Sequence, residues 1–161
     1  MNKKKVSIKS LPDNLEFELD IKFINKPEIT TDVLSGKDVK IDTNLPSTIV
    51  TKFCVLIRTS NFPQINFKLP ENPNNYFEGL QSNIKNFIEL VCQNKTHVFE
   101  IISLYEKLNV KYMAAFIGFL TAFFLREKNE HEIAEFFEIS GDVDDAKIAA
   151  FKSLSQEIDL V

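Results

Sequence analysis

The chain has 161 residues, of which 44% are apolar and 26% are charged, with four glycines and six prolines. This composition is typical of a globular protein with one sizeable core, and it excludes collagen-like, disordered and disulfide-scaffold chains. The formal net charge of -4 argues against a nucleic-acid-binding protein, because that role needs a dense basic face. We therefore expect one domain, or one domain with an appendage, that does not bind nucleic acid.

The cysteines and the N-terminus indicate an intracellular protein. Cys54 and Cys92 each stand alone in an apolar run, which predicts buried structural thiols rather than a disulfide or a nucleophile. After the lysines at positions 3–5 the chain alternates polar and apolar residues, so no signal peptide is expected. The uncharged run at residues 112–125 is too short to span a bilayer. We expect a cytoplasmic or nuclear location, or both, without a membrane partner.

The first part of the chain has a β-rich pattern. Residues 6–9 and 15–21 alternate polar and apolar side chains around a turn at 11–14, which predicts a hairpin with one solvent-facing side. A short helix is expected from about Pro27, and a third strand at residues 39–42. Residues 47–58 are densely apolar and predict a mostly buried helix. The pattern is that of the α+β class.

A long loop and a helical half follow. Residues 60–75 contain three prolines and repeated asparagines, which indicate a loop. From about residue 81 onward the apolar spacing is helical, with Thr96 and Asn129 at positions expected for helix N-caps. Residues 126–161 carry ten acidic and four basic side chains. Charge runs of this kind are typical of solvated helix faces.

The uncharged run at residues 112–125 allows two interpretations. It can be a central core helix that the rest of the chain covers. Alternatively, a partner protein covers one of its faces, formed by Phe116, Phe119, Phe123 and Phe124.

The sequence contains no constellation typical of catalysis. His97 and His131 are the only histidines, and the string at residues 131–135 lacks the second histidine of a zinc-protease motif. The four glycines are isolated, so no phosphate-binding loop is expected. We therefore expect a protein that is not an enzyme and needs no metal or cofactor.

Residues 99–111 (FEIISLYEKLNVK), followed by EHEI at 130–133 and FEI at 137–139, resemble the S-phase-kinase-associated adaptor family. These proteins are linker subunits of SCF-type cullin-RING ubiquitin ligases. The resemblance implies a BTB/POZ-like domain over residues 1–110, in which helices flank a small three-stranded sheet. It also implies a variable loop at about 60–79 and a C-terminal helical partner-binding extension over residues 111–161.

The resemblance further implies two partner surfaces and no cofactor. The face for the F-box protein would comprise Phe116, Phe119, Phe123, Ile133, Phe137, Ile139, Asp142, Val143, Ile148 and Phe151. The cullin face would comprise Tyr105, Glu106 and Lys107.

Four positions differ from the family pattern. Glu106 and Lys107 replace an Asn-Tyr pair, Val143 replaces a phenylalanine, and Glu157 falls near the position of a closing tryptophan. The first hypothesis is therefore a divergent adaptor that links a cullin to F-box substrate receptors in ubiquitin conjugation. The alternative is a structural subunit with the same fold in an assembly that is not a ligase.

Overall fold

The computed structural model describes residues 4–65, 67, 76–126, 128 and 131–133. These residues form two compact units. The first holds the described residues up to Asn61 together with Glu100–Met113, and the second holds those within Phe62–Phe99 and Ala114–Val161. A small three-stranded sheet and several helices make this a mixed α+β structure, as expected. The predicted domains, residues 1–110 and 111–161, stay a prediction.

The sheet lies in the first unit and consists of β1 (Lys5–Ser10), β2 (Leu15–Asp20) and β3 (Lys40–Thr43). The strand order is β2-β1-β3, with β2 antiparallel and β3 parallel to the central strand. Alternation places one set of side chains in the core, where three of them are fully buried: Val6, Ile8 and Leu19. The predicted hairpin and third strand are confirmed.

Two helices belong to the same unit: α1 (Pro27–Leu34) and α2 (Ser47–Thr59). Proline suits the first position of α1 because its missing N–H has no partner inside the helix there. The predicted helix α2 is confirmed, but it is not mostly buried: six of its 13 residues are buried on one face, and Val55 is 47% exposed. The Asp13 carboxylate, in the β1–β2 turn, accepts a hydrogen bond from the Ser47 N–H at 2.6 Å and caps this helix.

Three further helices follow: α3 (Ser82–Val91), α4 (Lys95–Leu108) and α5 (Ala114–Leu125). Helix α4 contributes its first residues to the second unit and those from Glu100 onward to the first. The prediction that Thr96 caps α4 is wrong. The Asn94 side chain accepts a hydrogen bond from the Thr96 N–H at 2.9 Å, so the cap lies two residues earlier.

The predicted loop at 60–75 is described only in part. Residues Phe62–Gln64 form one turn of 3-10 helix, and Phe67 is buried. The expected cap at Asn129 and most of the acidic segment that follows lie outside the described residues.

Candidate functional site

The C-terminal end of α4 carries the three residues predicted for the cullin face. The helix ends because Asn109 takes a left-handed conformation with φ 48°, and its N–H donates to the Tyr105 carbonyl at 2.6 Å. Asparagine tolerates this conformation better than most residues, because its short side chain bonds locally. The chain therefore reverses direction directly after the last turn of α4, which carries Tyr105, Glu106 and Lys107.

The turned-back segment pairs with residues 23–25 of the same unit. Ile24 and Val110 form an antiparallel bridge, and the Lys111 N–H donates to the Phe23 carbonyl at 2.7 Å. Asn109 adds two bonds to Asn25, one from its side-chain amide and one at its carbonyl, both at 2.8 Å. The end of α4 is therefore fixed to the start of α1 by backbone and side-chain hydrogen bonds.

Tyr105 is half-buried on the last full turn of α4. Burial raises the pKa of its hydroxyl, and the neighbouring Glu106 carboxylate raises it further. The phenol therefore stays protonated at neutral pH and can act as a hydrogen-bond donor.

Glu106 and Lys107 are both exposed, and each makes a contact inside the chain. The Glu106 backbone carbonyl accepts from the Lys26 ammonium at 3.4 Å. The Lys107 ammonium donates to the backbone carbonyl of Asp42 at 3.3 Å. Glu106 is exposed, whereas the Lys107 side chain also contacts the backbone of strand β3.

Lysines and a tyrosine lie along the two paired segments at the end of α4. Lys22 and Lys26 flank one of the paired segments, and Lys107 and Lys111 flank the other. Tyr112 follows with its side chain 68% exposed, and its φ of 65° is left-handed. We use the name α4-end surface for the following set: Lys22, Phe23, Lys26, Glu106, Lys107, Lys111 and Tyr112.

The second unit contains a cluster of aromatic rings around α5. Phe116 and Phe119 are fully buried, and Phe123 is 8% exposed. Their rings lie with centroids 4.8–6.0 Å from those of five other residues: Phe62, Phe67, Tyr76, Phe77 and Phe87. Tilted and edge-to-face pairs at these distances are favourable.

The burial of these three rings decides between the two interpretations of the uncharged run at residues 112–125. The core interpretation is confirmed for Phe116, Phe119 and Phe123. The alternative, that a partner has to cover this face, is wrong for these rings because the chain covers them itself. Their assignment to the F-box face stays a prediction, and it requires a partner to displace the surrounding rings. Phe124 is half-buried.

Two cations lie at the margin of this aromatic cluster. The Arg126 guanidinium is 3.7 Å from the centroid of the Phe123 ring, and its Nη1 donates to the Phe123 carbonyl at 2.6 Å. The Lys85 ammonium is 5.8 Å from the Phe77 ring. Arg126 thus stabilises the C-terminal end of α5 through a cation–π contact and a hydrogen bond to a carbonyl of its last turn.

Ile133, also assigned to the F-box face, is half-buried in a short helical stretch. The other members of that predicted face lie outside the described residues: Phe137, Ile139, Asp142, Val143, Ile148 and Phe151.

The two thiols are not reactive groups in this structure. Burial raises the pKa of Cys54 to about 11 and that of Cys92 to about 12, so both stay protonated at neutral pH. Both are free, as the sequence predicts, but only Cys54 is buried as predicted, whereas Cys92 is half-buried. Among the described residues no group of three His, Cys, Asp or Glu side chains is placed to hold a metal ion.

Comparisons with known proteins do not assign the chain to a family. No family model matches the chain, and no protein of curated function matches it. No helix in the described ranges is long and apolar enough to cross a membrane.

Five residues of the α4-end surface were not predicted from the sequence: Lys22, Phe23, Lys26, Lys111 and Tyr112. Lys22 and Lys26 lie 80 or more positions before Glu106 and Lys107, and the pairing of residues 23–25 with residues 109–111 brings them together. The one local signal was an Asn-Val-Lys-Tyr string directly after a helix. Asparagine there indicates a left-handed helix end.

Proposed function

We propose that this chain is a divergent adaptor of an SCF-type cullin-RING ubiquitin ligase, with a BTB/POZ-like fold. In this proposal the end of α4 faces a cullin, and the C-terminal extension holds an F-box substrate receptor. The protein would act in the cytoplasm, the nucleus or both. It performs no chemistry of its own.

One observation carries the proposal. The segment with the family resemblance, residues 99–111, forms most of α4 and the turned-back segment after it, and its last turn exposes Glu106 and Lys107. The resemblance implies a hairpin, a third strand and a helix after it for the front of the chain, and the first unit contains these elements in that order. These features support the proposal.

The adaptor's contribution to catalysis is proximity. A scaffold that holds a substrate receptor beside the rest of the ligase raises the effective concentration of the substrate. Ubiquitin transfer then behaves as an intramolecular step, for which orientation supplies most of the advantage. This role needs two stable interfaces and no catalytic side chain.

The second candidate function has the same fold but no part in a ubiquitin ligase. The Lys107 ammonium bonds to Asp42 of the same unit, so this family-variant side chain has a structural use of its own. That observation favours a structural subunit of a non-ligase assembly.

A binding experiment with purified proteins separates the two candidates. Immobilised wild-type chain is incubated with a cullin N-terminal domain, beside Glu106→Lys and Lys107→Glu. Lys52→Glu, an exposed change on α2, is the matched control. The adaptor role predicts that wild type and control bind and that both α4 variants lose most of the bound cullin. No cullin bound by any of them contradicts the adaptor role.

The receptor face is tested separately with F-box proteins. Phe137→Asp or Ile139→Asp should abolish their capture while the circular dichroism spectrum stays that of the wild type. Unchanged capture by both variants contradicts the assignment of these residues.

A further inference from the structure

We infer that the α4-end surface binds an acidic segment of a partner protein, with Tyr112 as the aromatic anchor. The inference rests on the proposed function in one respect, namely that this end of α4 faces a partner. It goes further in stating the chemistry of that partner and in naming residues outside the family motif.

The first argument is charge. Lys22, Lys26, Lys107 and Lys111 lie on or beside two segments joined by the bridge of Ile24 and Val110. The ion pairs found in the described part of the chain join Lys5 to Glu18, Lys37 to Asp32 and Lys40 to Glu16. None of them involves a lysine of the α4-end surface, so in the described part of the chain these four lysines have no ion-pair partner.

The acidic residues at and beside this site form no ion pair with the four lysines. Glu106 is the one carboxylate in the α4-end surface itself, and the contact of Lys26 is to its backbone carbonyl. Asp42 likewise engages Lys107 through its backbone, and the Asp20 carboxylate accepts from the Lys22 N–H. Glu28 lies in the first turn of α1. Within the α4-end surface itself, four lysines stand against one carboxylate, in a chain whose net charge is negative.

The second argument is the backbone at Tyr112. Its φ of 65° is uncommon for any residue other than glycine and is an outlier for one with a bulky side chain. The conformation holds a large aromatic side chain 68% exposed, where it gains little from burial. Strained positions of this kind persist where the surrounding structure determines them, and they concentrate at functional sites.

The two arguments together favour an acidic polypeptide. Tyrosine is enriched among the residues that dominate binding energy at protein interfaces, and lysines around it select partners of opposite charge. The half-buried Phe23 ring, with the Lys22 ammonium 5.0 Å from its centroid, extends the apolar part of the surface. A segment that carries carboxylates beside apolar side chains complements both features. A free phosphate would use the charge and leave the aromatic groups without a contact, and the net charge of -4 argues against a nucleic acid as the partner.

Photo-crosslinking in the native cells tests the inference. The photoreactive amino acid p-benzoylphenylalanine is incorporated at position 112 of the full chain, and the crosslinked peptides are sequenced by mass spectrometry. The inference predicts a defined protein segment with an excess of aspartate and glutamate. A basic or neutral segment, a crosslink to nucleic acid, or no specific crosslink overturns it.

The identified segment, made as a labelled peptide, then permits a quantitative test. Lys22→Glu combined with Lys111→Glu should weaken its binding by about tenfold or more, and raising the salt concentration should weaken wild-type binding. Lys37→Glu combined with Lys52→Glu makes the same charge change away from the surface and should leave affinity within about twofold of wild type. Equal loss in both double variants would mean that only net charge matters, which contradicts a localised site.

Removal of the ring tests the anchor without straining the backbone. Tyr112→Asn suits the left-handed conformation, so the variant should fold, yet peptide affinity should fall by about tenfold. Unchanged affinity overturns the role of Tyr112. The inference and the proposed function fail independently: an acidic segment from a protein other than a cullin supports the inference alone, and cullin binding without an acidic crosslink supports the function alone.

Discussion

The Lys107 ammonium donates a hydrogen bond to the backbone carbonyl of Asp42, with 3.3 Å between the two atoms. The carbonyls of Val39 and Thr43 accept from β1, so the intervening Asp42 carbonyl faces the open edge of β3. At the opposite edge, Arg58 donates to the Glu18 carbonyl of β2 at 2.6 Å. Each edge of the sheet is therefore covered at one carbonyl by a cationic side chain, a known defence against edge-to-edge association.

Removal of both cations should make the first unit self-associate. We expect Arg58→Ala combined with Lys107→Ala to show concentration-dependent association in analytical ultracentrifugation, because two strand edges lose their cover. The free energy of unfolding should change by less than about 2 kcal/mol, since both contacts are exposed. Lys37→Ala combined with Lys52→Ala removes the same charge elsewhere and should stay at the wild-type mass. Association of this control would assign the effect to lost charge repulsion.

The backbone at Tyr112 predicts an order of stabilities. Tyr112→Asn should unfold at a free energy close to that of the wild type, because asparagine tolerates a positive φ. Tyr112→Val should be less stable by about 1–2 kcal/mol, because a β-branched side chain clashes in this conformation. Urea denaturation measures both. Equal stability of the two variants would contradict the left-handed conformation at this residue.

The aromatic cluster predicts a large cost for losing a central ring. Phe116 is fully buried among other rings, so Phe116→Ala should lower the free energy of unfolding by about 3–5 kcal/mol. Val55→Ala, at a position 47% exposed, should cost no more than about 0.5 kcal/mol. A cost below about 1 kcal/mol for Phe116→Ala would show that the ring is not part of the core of the second unit.

Asp13 predicts a pH dependence. Its bond with the Ser47 N–H lowers the pKa of the carboxyl below the ordinary value. The stabilisation is therefore present above the unfolded pKa of about 3.9 and is lost as the pH falls through the folded value. The difference in unfolding free energy between wild type and Asp13→Asn should be constant from pH 7 to about pH 5 and shrink below about pH 4. A difference that does not change with pH would contradict an ionised cap.

Local patterns were sufficient for much of the fold. Strict alternation in residues 15–21 predicted a hairpin strand with one solvent-facing side, and the apolar density of residues 47–58 predicted a helix, because both signals depend on neighbours in the chain. The same density overstated how much of α2 is buried, since only one of its faces is. The N-cap of α4 was misplaced by two residues because Asn94 and Thr96 are both common cap residues. Only the geometry, in which Asn94 accepts from the Thr96 N–H, decides between them.

Contacts between residues far apart in the chain could not be predicted from the sequence pattern. The cap of α2 comes from Asp13, 34 positions away, and the α4-end surface joins Lys26 to Glu106, 80 positions apart. Nothing in the local pattern of residues 22–26 marks them as neighbours of Lys107 and Lys111. The same limit applies to α5, where only the packing of rings from Phe62 and Phe67 shows that the chain itself covers Phe116.

The central claim is the adaptor role, and affinity purification of the tagged full chain from its own cells tests it most directly. Mass spectrometry of the co-eluting proteins should identify a cullin together with several different F-box proteins. Recovery of one fixed set of partners without a cullin would contradict the adaptor role and leave the structural-subunit alternative.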